Sequence, residues 1–244
     1  MTASMLALAV LVAVAYGVQT VSGFGAGLIL VTLGVHLVEL PTLLALILPL
    51  SIAQTGWITL RHWRAVDGRL LLGKVIPVMG AGVGLGYLVA AQVSGMTVVK
   101  QVLGVFVVLL AARELWQLHR GTTPAVGTPI ASTLSIFGAG VVHGIYATGG
   151  PLLVYGLGRE GLDRARFRAT VTTVWLVLNV GLVATYAVEG RYTPHRLGQL
   201  LVLLVGIPVG VAAGERVFSR VSERAFRWGI YGLLAVAGVP LILS

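Results

Sequence analysis

Two glycine-rich stretches interrupt an otherwise apolar sequence, and their backbone amides could bind an anion. The first is Gly23-Phe24-Gly25-Ala26-Gly27 and the second is Thr148-Gly149-Gly150-Pro151. Because glycine costs a helix interior roughly 0.8–1 kcal/mol relative to alanine, each stretch predicts a break between two helices. The first N–H groups of a helix lack intrahelical partners and favour negative charge. We expect helices to restart at Gly27 and Pro151; the alternative is that these glycines only permit close helix packing.

Two polar side chains precede these stretches at equivalent positions. Gln19 comes before the first and His143 before the second, 124 residues later. Either side chain can donate a hydrogen bond to an oxyanion, and a protonated histidine would add positive charge. The alternative for His143 is a packing role in which it bonds a neighbouring helix. Polar residues inside a membrane are costly and often functional, so we keep both as candidate binding residues.

Further polar residues fall in the middle of two apolar runs. Gln54 and Thr55 lie in one run and Asn179 in the corresponding later run, and we expect them to line a cavity. The alternative is hydrogen bonding between helices, worth about 0.6 kcal/mol per bond, which we favour for Ser51, Thr172 and Thr173. Trp175 either lines this cavity or only packs against neighbouring helices. The complete predicted binding site is Gln19, Ser22, Gly23, Phe24, Gly25, Gln54, Thr55, His143, Thr148, Gly149, Gly150 and Asn179.

The scarcity of acidic and sulfur-containing side chains excludes several kinds of chemistry. The apolar runs contain almost no carboxylates, which argues against a buried proton carrier or a cation site. The chain has no cysteine, so we expect no thiolate metal site and no cofactor. Ser22 with His143 superficially resembles a nucleophile–base pair, but no third group orients it, and we do not expect an enzyme. The 17 basic residues sit mostly in short loops, as membrane topology signals do, which argues against nucleic-acid binding.

The composition is that of an all-α polytopic membrane protein. Of 244 residues, 57% are hydrophobic and 10% are charged, against about 25% charged in a soluble domain. A membrane span needs about 20 apolar residues. Runs of that kind occupy residues 41–60, 70–91, 97–115, 169–188, 197–214 and 227–243, while residues 5–38 and 131–158 carry the glycine-rich interruptions.

The two halves of the chain repeat each other. GFGAGLILV aligns with ATGGPLLVY at an offset of 124 residues, and residues 93–104 align with 221–232 at an offset of 128. A polar stretch rich in glycine and proline separates the halves. We therefore predict a first transmembrane repeat at 1–118, a linker at 119–130 and a second repeat at 131–244.

The distribution of basic residues predicts how the chain crosses the membrane. If all eight apolar segments crossed, the basic residues would divide almost evenly, which is unusual. If both glycine-broken segments are re-entrant hairpins, only Lys100, Arg191 and Arg196 remain on one side. Each half then crosses the membrane three times. Because three is an odd number, the second half is inverted relative to the first. Since the side rich in basic residues is the cytoplasmic one, both termini lie outside. Two tips from opposite sides would meet near the midplane, an architecture typical of secondary transporters.

The sequence resembles the sulfite exporter TauE/SafE family, also called the four-toluene-sulfonate uptake permease family. The resemblance rests on GFGAGLILVTLG and GIYATGGPLLVYGLG, each opening one half of the chain. The second motif has Thr148-Gly149-Gly150-Pro151 where the family usually has three glycines. The resemblance implies export of small sulfur-containing anions, such as sulfite or organosulfonates, across the bacterial inner membrane.

Two other functions stay open at this point. An anion channel could use the same inverted architecture, and a non-transporting membrane scaffold would need no paired broken helices. The expected partners are a small anionic substrate and the lipid bilayer, without nucleic acid, and a homodimer is an open alternative to a monomer.

Overall fold

The described part of the chain consists of helices joined by short turns, with no strand among the described residues. The computed structural model describes residues 3–90, 97–120, 128–147, 149–158 and 160–243. The first half contains α1 (Ala3–Ser22), α2 (Ala26–Gly34), α3 (Leu40–His62), α4 (Gly68–Ala90) and α5 (Thr97–His119). The second half contains α6 (Pro129–Tyr146), α7 (Gly150–Leu157), α8 (Arg164–Val188), α9 (Pro194–Arg220) and α10 (Glu223–Leu243).

Six of the described helices are long and apolar enough to cross a membrane. They are α1, α3, α4, α6, α8 and α9. Two of these, α1 and α6, are the first arms of the predicted hairpins. The predicted runs at 41–60, 97–115, 169–188, 197–214 and 227–243 are confirmed as helices, each longer at one or both ends. The run at 70–91 is helical as far as Ala90, and residue 91 lies outside the described residues. Part of the predicted linker, residues 121–127, lies outside the described residues, and its last two residues already belong to α6.

Local sequence signals set the helix starts. Thr128 and Thr193 precede Pro129 and Pro194, and each threonine hydroxyl accepts from a backbone N–H of the first turn. Threonine is a favoured cap, and proline is tolerated at the first helical position because its missing N–H would have no partner there. The Asp67 carboxylate caps α4 in the same way by accepting from Leu70 N at 3.0 Å.

The third long helix of each half is irregular just before an Ile-Pro pair. In α4 the residues Leu71–Val75 form a π turn, followed by Ile76 and Pro77. In α9 the regular helix is interrupted at Val205, followed by Ile207 and Pro208. Proline removes a backbone donor and crowds the preceding turn, which accounts for the irregularity.

The chain forms two compact units, and each takes helices from both halves. The first unit comprises Met1–Ile76 and Arg168–Arg220, and therefore holds α1, α2, α3, most of α8 and α9. The second unit comprises Pro77–Phe167 and Val221–Ser244, and holds most of α4 together with α5, α6, α7 and α10.

Within each unit a glycine-bearing helix packs directly on backbone. In the first unit, a Cβ added to Gly210 of α9 would lie 2.4 Å from the Ala13 carbonyl oxygen of α1. In the second unit, a Cβ added to Gly82 of α4 would lie 2.3 Å from the Phe137 carbonyl oxygen of α6. Ala13 and Phe137 are separated by the offset of 124 residues, and Gly82 and Gly210 by the offset of 128. The same helix contact thus occurs twice, at the two offsets that the sequence comparison of the halves uses.

Candidate functional site

The first glycine-rich stretch breaks the chain between α1 and α2. Helix α1 ends at Ser22 and α2 begins at Ala26, one residue before the predicted restart. Gly23 has φ 85° and Gly25 has φ 107°, conformations that residues with a side chain rarely adopt. The Ser22 hydroxyl donates to the Phe24 carbonyl oxygen at 2.6 Å, and Phe24 is buried. These residues, Gly23–Gly25 with Ser22 and the start of α2, form what we call the first tip.

Gln19 and Gln54 lie together at the first tip. The Gln19 Oε1 accepts from the Ala26 backbone N–H at 3.2 Å, satisfying one donor at the start of α2. Gln19 Nε2 donates to Gln54 Oε1 at 3.0 Å, and Gln54 Nε2 donates to Thr20 Oγ1 at 3.0 Å. Both glutamines are buried. The predicted residues are therefore at the tip, where they fasten α2 to α1 and α3.

Thr55 and Asn179 bond to Ser51. The Thr55 hydroxyl donates to the Ser51 carbonyl oxygen at 2.6 Å, one turn back along α3. Asn179 Nδ2 on α8 donates to Ser51 Oγ at 2.9 Å, joining two helices. Hydrogen bonding between helices, which the sequence left open for Asn179, is thus observed for this residue.

The second glycine-rich stretch breaks the chain between α6 and α7. Helix α6 ends at Tyr146, Ala147 turns with φ 54°, and α7 begins at Gly150, one residue before the predicted Pro151. The predicted site residue Thr148 lies outside the described residues. We call Ala147, Gly149 and Gly150 the second tip.

Helix α7 folds back along α6. A Cβ added to Gly149 would lie 2.1 Å from the Ala139 carbonyl oxygen and 3.0 Å from the His143 Cβ. At the other end of α7, the Ser132 hydroxyl donates to the Gly156 carbonyl oxygen at 3.2 Å. The two helices are therefore antiparallel. His143 is buried beside the second tip.

Arg168 of α8 is buried, whereas the sequence alone predicts a role in membrane topology for the basic residues of the short loops, Arg168 among them. Its guanidinium donates to the Thr20 carbonyl oxygen of α1 at 3.0 Å and to Glu215 Oε1 of α9 at 2.8 Å. It also lies 3.7 Å from the centre of the Phe218 ring. A cation at a helix C-terminus opposes the negative end of the helix dipole, so Arg168 stabilises the end of α1 beside the first tip.

Trp175 holds the first tip from the same helix. Its Nε1 donates to the Gly23 carbonyl oxygen at 2.9 Å. A Cβ added to Gly23 would lie 3.4 Å from the Arg168 Cα and 3.5 Å from the Val171 Cβ, so the tip rests directly on α8. One signal could have revealed this face. Arg168 and Trp175 are seven residues apart, which places them on the same side of a helix.

Each tip, taken by itself, is followed by the N-terminus of a helix, which favours an anion over a cation. The buried Arg168 guanidinium lies beside the first tip. In the described residues, no group of three or more His, Cys, Asp or Glu side chains is placed to hold a metal ion.

A protein-family model described as "Sulfite exporter TauE/SafE" matches residues 7–241, nearly the whole chain. Comparisons with curated proteins and with solved structures found no match.

Proposed function

Because the chain belongs to the sulfite exporter TauE/SafE family, whose members are membrane transporters, we propose that it exports sulfite or small organosulfonates across the bacterial inner membrane. In this proposal the anion binds at backbone amides of the glycine tips, and the binding site opens to one side of the membrane at a time.

The observation that carries this proposal is the pair of short helices that start at the tips. Helices α2 and α7 have nine and eight residues, which correspond to about 13 Å and 12 Å at 1.5 Å per residue. The hydrocarbon core is about 30 Å thick, so such helices place their N-termini near its middle if the chain leaves on the side from which it entered. Amides at that depth have no water and favour an anionic partner.

The repeated helix contact supports an inverted duplication. Gly210 packs on Ala13 in one unit and Gly82 packs on Phe137 in the other, so each half supplies the partner that the other half needs. With the uneven distribution of basic residues, this favours two oppositely oriented repeats with both termini outside.

Single cysteines can test this topology cleanly, because the chain has no native cysteine. Ala165→Cys lies on the charge-rich side and His195→Cys on the charge-poor side, and both residues are exposed. In cells with a permeabilised outer membrane, we expect an impermeant maleimide to label H195C but to label A165C only after the inner membrane is opened. The reverse pattern would place the termini inside.

The function itself is tested by sulfite flux in proteoliposomes. We expect saturable sulfite efflux that accelerates when the potential is inside-negative, since each elementary charge gains about 2.3 kcal/mol per 100 mV. Empty vesicles are the control. Efflux that ignores the potential and requires a proton gradient would contradict export driven by the membrane potential, and flux that does not saturate would favour a channel.

A further inference from the structure

The face of α8 that contacts the first tip carries a third polar residue. Arg168, Thr172 and Trp175 have the spacing i, i+4 and i+7, which places them in one stripe. Arg168 donates to the Thr20 carbonyl oxygen and Trp175 donates to the Gly23 carbonyl oxygen, and these two acceptors lie on either side of Ser22, the last residue of α1. Thr172 lies between them along this stripe.

The Thr172 hydroxyl is buried without a hydrogen-bond partner in the part of the chain that the structure describes. Thr172 has no exposed surface. Its neighbours differ: the Thr173 hydroxyl donates to the Ala169 carbonyl oxygen at 2.8 Å, and the Thr170 hydroxyl accepts from Asp67 N at 3.0 Å. A threonine inside a helix usually bonds the carbonyl four residues back, and a buried hydroxyl without a partner is costly. A bound water or a bound ion is an ordinary explanation for such a hydroxyl.

We propose that the Thr172 hydroxyl is a binding group for the transported anion at the first tip. The proposal rests on the proposed function and identifies a substrate-binding residue on α8. A hydroxyl can donate one hydrogen bond to an oxyanion oxygen. Helix α2 begins at Ala26, directly after this tip, and the first N–H groups of a helix favour an anion. The Arg168 guanidinium offsets the negative end of α1 that would otherwise repel the anion. An anion at the tip would supply the acceptor that Thr172 lacks.

The test separates binding from structure by comparing neighbouring threonines. Thr172→Val removes the hydroxyl at nearly constant shape, Thr172→Ser retains it, and Thr173→Val removes a hydroxyl that has partners. Each variant and the wild type are reconstituted, and the half-saturation concentration for sulfite is measured together with thermal unfolding in detergent.

We expect T172V to raise the half-saturation concentration at least fivefold while its unfolding temperature stays equal to or above that of the wild type. T172S should remain within twofold of the wild-type half-saturation. T173V should unfold at a lower temperature and bind sulfite normally.

If T172V has the same half-saturation concentration for sulfite as the wild type, the assignment of Thr172 is overturned and the proposed function stands. A lowered unfolding temperature in T172V, equal to that of T173V, would show a structural role instead and would also overturn it. If the wild type itself shows no saturable sulfite flux, the proposed function fails and this assignment fails with it.

Discussion

Gly149→Ala is expected to reduce sulfite flux at least tenfold. Gly149 has φ −66°, which alanine adopts easily, so the backbone conformation is not the obstacle. The obstacle is space, because the new methyl carbon would lie 2.1 Å from the Ala139 carbonyl oxygen. The Ala139 carbonyl belongs to the backbone of α6, so the clash can be relieved only if α7 shifts away from α6. That shift displaces the backbone amides at the start of α7. Initial rates of sulfite efflux from proteoliposomes measure the effect.

Gly138→Ala is the matched control for this change. Gly138 lies in α6 of the same hairpin, but its added methyl would meet only a methyl group of the Leu152 side chain at 3.3 Å. A side chain can shift by the few tenths of an ångström required, so G138A should transport at close to the wild-type rate. If G149A transported equally well, the second tip would have no role in binding the anion.

Arg168→Gln is expected to lower the free energy of unfolding by about 3 kcal/mol. Arg168 is only 2% exposed, and removing one partner of a buried ion pair typically costs 3–5 kcal/mol. We take the lower end because the Glu215 side chain is 28% exposed and regains some hydration. Denaturant titration of the protein in mixed micelles, followed by circular dichroism, measures the change.

Arg166→Gln provides the comparison, because Arg166 lies on the same helix but is exposed. Its replacement should change stability by less than about 0.5 kcal/mol. The double variant R168Q/E215Q should be less destabilised than the sum of its single changes, since it leaves no unpaired buried charge. Equal stabilities for R168Q and R166Q would contradict the buried ion pair.

The helix breaks were predictable from sequence because their cause is local. Gly23 and Gly25 adopt backbone conformations that suit glycine, and a cluster of glycines in an apolar run already signals such a break. The restarts at Ala26 and Gly150 each came one residue earlier than predicted, which is a normal uncertainty at helix ends.

The support of the first tip by α8 was not predictable by the same means. Arg168 bonds to Thr20, 148 residues away, and apart from its seven-residue spacing from Trp175 nothing local distinguishes it from Arg164 or Arg166 in a basic stretch. Counting charges by loop assigned all of them to membrane topology. Gln19 and Gln54 were predicted as candidates because amides are rare in apolar runs, but their bonds to the backbone and to each other depend on long-range packing.

The composition of the two compact units bears on how such a chain could have originated. Each unit needs helices from both halves, so a polypeptide ending near residue 118 would leave the backbone surfaces of α1 and α4 without partners. Two copies of that short polypeptide could cover each other's surfaces by exchanging helices. If the proposed repeats arose by duplication, a half-length precursor would therefore have folded only as a pair, and gene fusion would have made that pairing permanent.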